Sequence, residues 1–282
     1  MLKVKATALH PAWLQPEWPV PAGVRAVFTT RAGGVSQVPW DSLNLGSHVG
    51  DQPAAVAANR ALLQAATGVP SAYLEQVHGT AVAVLTSAAA DGRVADACVT
   101  SARSVACTVL VADCLPVLLA SADGSWVAAA HAGWRGLAGV GSSQGVLESV
   151  LNQTKASFNA FPQAGIGFVA SKTIAWLGPC IGPGAFQVGE EVRAAFMAHQ
   201  AGAAACFTSA GPGKYMADLA ALAKGRLQAL GVRQIYGNDS SPGWCTASNP
   251  ALFFSHRRDA RAGVGGNGFG TTGRMAASIW ID

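Results

Sequence analysis

Charge is scarce in this chain. Lys, Arg, Asp and Glu make up 12% of its 282 residues, and the formal net charge is +4. The basic residues are scattered and form no stripe, which argues against a nucleic-acid partner. The densest cluster, "SHRRDAR" at 255–261, reads as a solvated face or a local anion site. The first residues, "MLKVKATALHPAWLQPEWPVPAGV", lack the continuous apolar core of a secretory signal. The most apolar run, "VACTVLVADCLPVLLA", is interrupted by Asp113 and Pro116, so it is too broken and too short to span a bilayer. No low-complexity tract or fixed-period repeat is present. Six cysteines occur, none in a C-x-x-C pair. Without a secretory signal, reduced thiols and a cytoplasmic location are expected.

What is abundant is apolar surface. Half the residues are hydrophobic, enough for a sizeable core in one domain spanning 1–282. Strand patterns stand at 24–30, 80–86, 104–114 and 174–182, with a last strand in "MAASIWI". The 104–114 run is apolar on both faces, as a fully covered strand requires. Helical patterns stand at 51–68, with Asp51 as N-cap and Pro53 in the first turn, and at 137–153, 189–200 and 218–232, the last closed by Gly231. Strands and helices mix without a strict βαβ rhythm. The Gly-rich segment 261–274 reads as a surface loop.

The chemistry concentrates in "ADCLPVLLASADGSWVAAAHAGWRG", residues 112–136. Asp123-Gly124 is a two-residue hairpin signal between apolar runs. A turn there pairs Ala122 with Ser125 and, further out, Pro116 with His131. Cys114 then lies at the same open end as His131. His78 in "QVHGT" also sits at an element end. Two imidazoles and a thiolate suit zinc, and three protein ligands leave one tetrahedral position for water, whose pKa such a metal lowers to about 7. Two alternatives stay open. Cys114 and His131 also match a nucleophile and its base, as in an amidase. A closed structural zinc site would need a fourth ligand, for which Cys180 is the candidate. Cys98, Cys107 and Cys206 read as ordinary thiols, and His10, His48 and His199 as structural. Multicopper electron transfer needs many more histidines than the six present.

"TTRAGGVS", "LNLGSHVGD", "QVHGT", "ADCLPVLLA", "AAAHAGWRG", "LGPCIG" and "FFSHRRD…TGR" occur in that order. Together they resemble the YfiH-like laccase-domain family, also described as a purine nucleoside phosphorylase family and once called polyphenol oxidase. The resemblance covers about Val24 to the end. It implies a single α/β domain of stacked mixed β-sheets flanked by helices, the YfiH-like putative cysteine hydrolase fold. It implies one zinc held by His78, Cys114 and His131, these being also the catalytic residues. Copper is the less fitting metal. The implied activities are phosphorolysis of adenosine, inosine and methylthioadenosine, and deamination of adenosine at the same site. Some relatives are linked instead to peptidoglycan precursor editing. The implied partners are nucleosides and phosphate, with no membrane and no nucleic acid, and a monomer is expected. Phosphate needs an anion site. "TTRAGGVS" offers Arg31, Ser36 and the amides of Gly33 and Gly34, and Asn44 is a further polar candidate for substrate. Asp113, next to Cys114, is a candidate for proton transfer or a supporting carboxylate. One departure is Gln187 in "FQVG", where relatives often carry Glu.

Overall fold

A computed structural model describes residues 8–87, 91–142, 144–159, 169–261 and 271–282. In chain order the strands are β1 (Val24–Phe28), β2 (Ser71–Ala72), β3 (Val82–Val84), β4 (Ala97–Thr100), β5 (Ala106–Val111), β6 (Leu115–Ser121), β7 (Val127–Ala132), β8 (Thr173–Leu177), β9 (Gln187–Gly189), β10 (Phe207–Ser209), β11 (Lys214–Ala217), β12 (Gln234–Gly237) and β13 (Met275–Ile281). The α-helices are α1 (Pro53–Thr67), α2 (Trp134–Ala138), α3 (Val146–Asn159), α4 (Glu190–Met197), α5 (Leu219–Ala229) and α6 (His256–Arg261). The strands form a six-stranded mixed sheet in the order β12-β8-β6-β7-β4-β3, a four-stranded sheet β1-β13-β5-β2, and a small sheet β10-β11-β9. This is the mixed α/β architecture of stacked sheets and helices.

Alternation along β6 and β7 explains the layering. Val117, Leu119, Ala128 and Ala130 project into a core shared with Leu147 and Val150 of α3 and Leu222 and Leu227 of α5. Leu118, Ala120, Val127 and Ala129 project the other way, onto Cys107, Val109, Ala277 and Ile279 of the four-stranded sheet. The central strands are thus covered on both faces, one by helices and one by a second sheet. All seven residues of β6 are buried, which is why its sequence reads as an unbroken apolar run. Parity puts His131 on the inter-sheet face with Val127 and Ala129, and Cys114 packs against that same core.

The hairpin register is the expected one, with Pro116 opposite His131. The loop itself is longer than two residues. Ser121 N donates to Trp126 O at 3.1 Å, and Gly124 N closes a turn on Ser121 O at 3.0 Å. Four residues, 122–125, make the connection, with Gly124 at φ 73°. The extra residues fall evenly on both sides of the turn, so the pairing outward is unchanged.

Other expectations shift at their ends. The 137–153 helix is two helices, because Gly139 at φ 76° ends α2. A side chain there would meet the Gln144 backbone at 2.8 Å. The N-cap of α1 is Gln52 rather than Asp51. The 174–182 strand stops at Leu177, just before Gly178-Pro179. The 104–114 strand stops at Val111, and Asp113 turns the chain at φ 90°. The helix at 218–232 is capped by Asp218, which accepts from Ala221 N at 2.9 Å, and Gly231 takes a left-handed conformation just past its end. Of the Gly-rich 261–274 segment, residues 262–270 lie outside the described residues. All six cysteines are free thiols. Among the described residues no helix is long and apolar enough to cross a membrane.

Candidate metal centre

His78, Cys114 and His131 come from three separate segments: the loop after β2, the residue just before β6 and the end of β7. Their candidate ligand atoms lie within 4.8 Å of one another, and no other group of three such residues occurs among the described residues. Cys114 Sγ stands 3.7 Å from His78 Nε2, and the two imidazole rings meet edge-on at 4.8 Å. Cys180 is buried apart from the trio, where its thiol takes a 3.4 Å hydrogen bond from Asn238 Nδ2. It offers no fourth ligand.

Asp96 holds this arrangement, and the sequence reading missed it. Its Oδ1 lies 2.8 Å from His131 Nδ1 and accepts from His78 N at 2.9 Å. Its Oδ2 accepts from Gly79 N at 2.6 Å and Val77 N at 3.2 Å. One fully buried carboxylate therefore orients an imidazole of the trio and folds the backbone that carries another. The grip matters because His78 sits at φ 60°, a conformation that non-glycine residues reach only when the surroundings impose it. With His131 Nδ1 engaged, its Nε2 is the atom left for a metal. A lone Asp in the apolar "VADACV" stretch was the available signal, since buried carboxylates are rare without partners.

Two glycines make room for the trio. A Cβ on Gly133 would come within 2.8 Å of the His78 ring and 3.1 Å of Cys114 Sγ. A Cβ on Gly136 would strike Gly79 O at 2.5 Å. The "HAGWRG" motif is thus a packing requirement of "QVHG" as much as a source of ligand.

The electrostatics favour a charged pair. Burial pushes the Cys114 thiol up, but the charge of His131 and hydrogen bonds from both imidazoles bring it down to about 6. Burial pushes His131 down, but the Cys114 thiolate and the Asp96 bond raise it to about 9. Burial works against the Asp96 carboxylate, while the His131 contact and the backbone amides hold it below its ordinary value. In the metal-free chain, then, thiolate and imidazolium coexist between about 6 and 9. The thiolate's contribution to stability disappears as pH falls through 6, and that of His131 as pH rises through 9. A metal must displace the His131 proton but finds Cys114 already ionised. Zinc binding near pH 7.5 is therefore expected to release about one proton, rising toward two below pH 6 with a parallel fall in affinity. Calorimetry in buffers of different ionisation enthalpy measures this; release of two protons at pH 7.5 would contradict the pairing.

The trio lines a cavity of about 300 Å³. Trp134, Ile181 and Phe186 give it apolar walls, and His48, Arg257 and Arg274 bring positive charge or donors. His48, expected to be structural, is therefore a lining residue. So are His256 and Arg257 of the "SHRRDAR" cluster, whose Arg258 instead bonds Asp259, Thr246 O and Phe253 O. Asp113 also lines the cavity, yet both its oxygens are occupied, by Thr246 Oγ1 at 2.6 Å and Arg257 N at 2.6 Å.

The other sequence-derived candidates lie elsewhere. Arg31 pairs with Asp41 at 3.0 Å and covers the Phe254 ring. Ser36 donates to Asp51 at 2.6 Å and accepts from Asn59 at 2.9 Å. The Gly34 amide donates to Ser42 Oγ. Asn44 bonds Asp51 and Gly46 but also accepts from Arg274 N at 2.9 Å. Arg31, Ser36 and Asn44 thus shape the loop around the cavity without lining it, and Asn44 stands directly behind a residue that does. Gln187 is exposed, and its carbonyl takes a bond from Arg257.

A family model described as multi-copper polyphenol oxidoreductase laccase matches residues 25–282. The chain belongs to that family. Within this laccase-like family, the chain is 46% identical over 273 residues to purine nucleoside phosphorylase PA4543 of Pseudomonas aeruginosa, an alignment covering 96% of this chain and 98% of that protein. It is 47% identical over 268 residues to purine nucleoside phosphorylase YfiH of Escherichia coli, covering 94% and 97%. Among solved structures, Neisseria meningitidis protein NMB0706 superposes with a TM-score of 0.81 at 44% identity, covering 96% of this chain and 99% of that one. YlmD from Geobacillus stearothermophilus superposes at 0.76 with 31% identity, covering 93% of each chain.

Proposed function

We propose that the chain is a zinc-dependent purine nucleoside enzyme. On this reading it cleaves adenosine, inosine and methylthioadenosine with phosphate and deaminates adenosine at the same site. The observation that carries it is the convergence of His78, Cys114 and His131 on one wall of a cavity, with no fourth protein ligand among the described residues. The relatives' shared description as purine nucleoside phosphorylases supplies the substrate class.

The donor set fits zinc. One thiolate and two imidazoles suit a borderline-soft d¹⁰ ion, and a set left open on the cavity side matches a catalytic rather than a structural site. The family description names copper, but a multicopper oxidase would need further clusters of histidine. When bound, zinc supplies Lewis acidity and activates water at neutral pH. Every other task falls to the chain. Asp96 fixes the tautomer and direction of His131 and the backbone of His78. Trp134 and Phe186 offer flat apolar faces for a purine. His48 and Gln76 line the same space as hydrogen-bonding groups for ribose or base. In phosphorolysis the bond between ribose C1′ and the base nitrogen breaks, a phosphate oxygen bonds C1′, and the base leaves with the electron pair and takes up a proton.

Elemental analysis of purified protein is expected to find about one zinc per chain, and inosine is expected to yield hypoxanthine only when phosphate is present. Metal-loaded protein that leaves both adenosine and inosine unchanged, with and without phosphate, would end this reading. A second reading rests on the same trio. A thiol brought down to about 6 beside His131, itself oriented by Asp96, has the geometry of a nucleophile, base and orienting carboxylate. An amidase of that kind keeps its activity under chelation and loses it on thiol alkylation. A zinc-bound thiolate is not free to attack, so metal content separates the two.

A further inference from the structure

The anion site expected at Arg31 is not needed there, because Arg31 already has its carboxylate. Two arginines line the cavity, Arg257 and Arg274. Arg274 pairs with no carboxylate within 4.0 Å among the described residues. Its Nη1 donates to Thr272 O at 2.9 Å and Gly273 O at 3.3 Å, and Nε and Nη2 have no protein acceptor among the described residues. Arg274 is half-buried and faces the cavity, so the open edge of its guanidinium is presented to whatever the cavity holds, and an anion is its natural partner.

The residue is also built in. Its backbone N donates to the buried Asn44. Its stem lies so close to Gly46 that a Cβ there would meet Arg274 Cγ at 2.7 Å. The "LNLG" motif thus clamps the base of this one side chain from two positions. Arg274 lines the same cavity as the trio and Asp113. Asp113 has both oxygens occupied and Cys114 belongs to the trio. His48 lines the same cavity and is held below its ordinary value by burial and then by the charges of Arg274, Arg60 and His78.

We propose that Arg274, with His48 lining the same cavity, forms its oxyanion subsite and takes inorganic phosphate in the fork of the guanidinium. A planar fork matches two phosphate oxygens at once, which a point charge cannot do. The inference deepens the reading of the chain as a phosphorylase and rests on it only for the identity of the anion.

The test uses zinc-loaded protein and inorganic phosphate. Arg274→Met is expected to weaken phosphate binding about 100-fold and to raise the KM for phosphate in step. Zinc content and the KM for inosine should stay within about twofold. Arg274→Lys, which keeps the charge and loses the fork, should weaken phosphate about tenfold, and it serves alone if the methionine variant fails to fold. Unchanged phosphate affinity in either variant overturns the proposal. So does a rise in the KM for inosine with phosphate unaffected, which would give the guanidinium to the nucleoside, and so does loss of zinc from both variants. If wild-type protein binds phosphate through Arg274 yet cleaves no nucleoside, the phosphorylase reading fails and the anion subsite stands.

Discussion

Cys114→Ala is expected to leave a folded protein that holds no stoichiometric zinc and turns over no nucleoside. Cys114 is the only thiolate of the trio, and the two imidazoles that remain are weaker ligands for zinc than the full set. The loss should exceed the roughly 10–100-fold typical of removing a group that merely orients a ligand. Folding should tolerate the change. The side chain is half-buried and its truncation removes one sulfur, about 1 kcal/mol of apolar burial. The experiment pairs elemental analysis with the phosphate-dependent inosine assay on one preparation. Zinc retained at full occupancy would show that the thiol is no ligand. Zinc lost with activity intact would sever metal from function.

Asp96→Asn is the second large effect. The substitution keeps shape and removes charge, so it isolates what the carboxylate does. Asp96 accepts four hydrogen bonds, from His131 and from three successive amides. An amide puts an NH₂ group against at least one of these donors. That leaves buried donors unmatched at a cost of about 3 kcal/mol, or roughly 5–10 °C in Tm for a chain of this size. Zinc affinity should fall ~10–100-fold because both His131 and His78 lose their orientation. Chelator competition reads the second effect independently of the first. A variant with the expected drop in Tm and unaltered zinc affinity would reduce Asp96 to a structural role.

Much of the site was legible because it obeys short-range rules. The Asp123-Gly124 turn and the apolar runs on either side suffice to set Pro116 opposite His131, and an even extension of the loop leaves that pairing alone. The full burial of β5 is visible at 104–114 as a run with no polar alternation. What escaped is what depends on contacts across the fold. Asp96 carries no motif, and its partners lie 17–19 residues away at Val77–Gly79 and 35 away at His131. Arg31 and Arg274 cannot be told apart by composition, since each follows a Gly- or Thr-rich stretch. Among the described residues, Asp41 pairs with Arg31 and no carboxylate pairs with Arg274, and that separates them. His48 reads as structural in the sequence because its loop is held by the buried Ser36–Asp51–Asn59 network, which is invisible until the chain closes. Gly139 divides one apparent helix into two for a related reason: an αL residue is compatible with the pattern and incompatible with the helix.

The β6–β7 hairpin has two ends with different tolerances. Ligands gather at one, and the tip at 122–125 lies about six residues away along the strands, roughly 20 Å at the usual rise. Asp123 there is exposed. Because pairing is symmetric about the turn, residues added at the tip lengthen the connection without sliding one strand past the other. That tip is a natural place to attach a dye, a tether or a surface anchor while the chemistry at the opposite end goes on undisturbed.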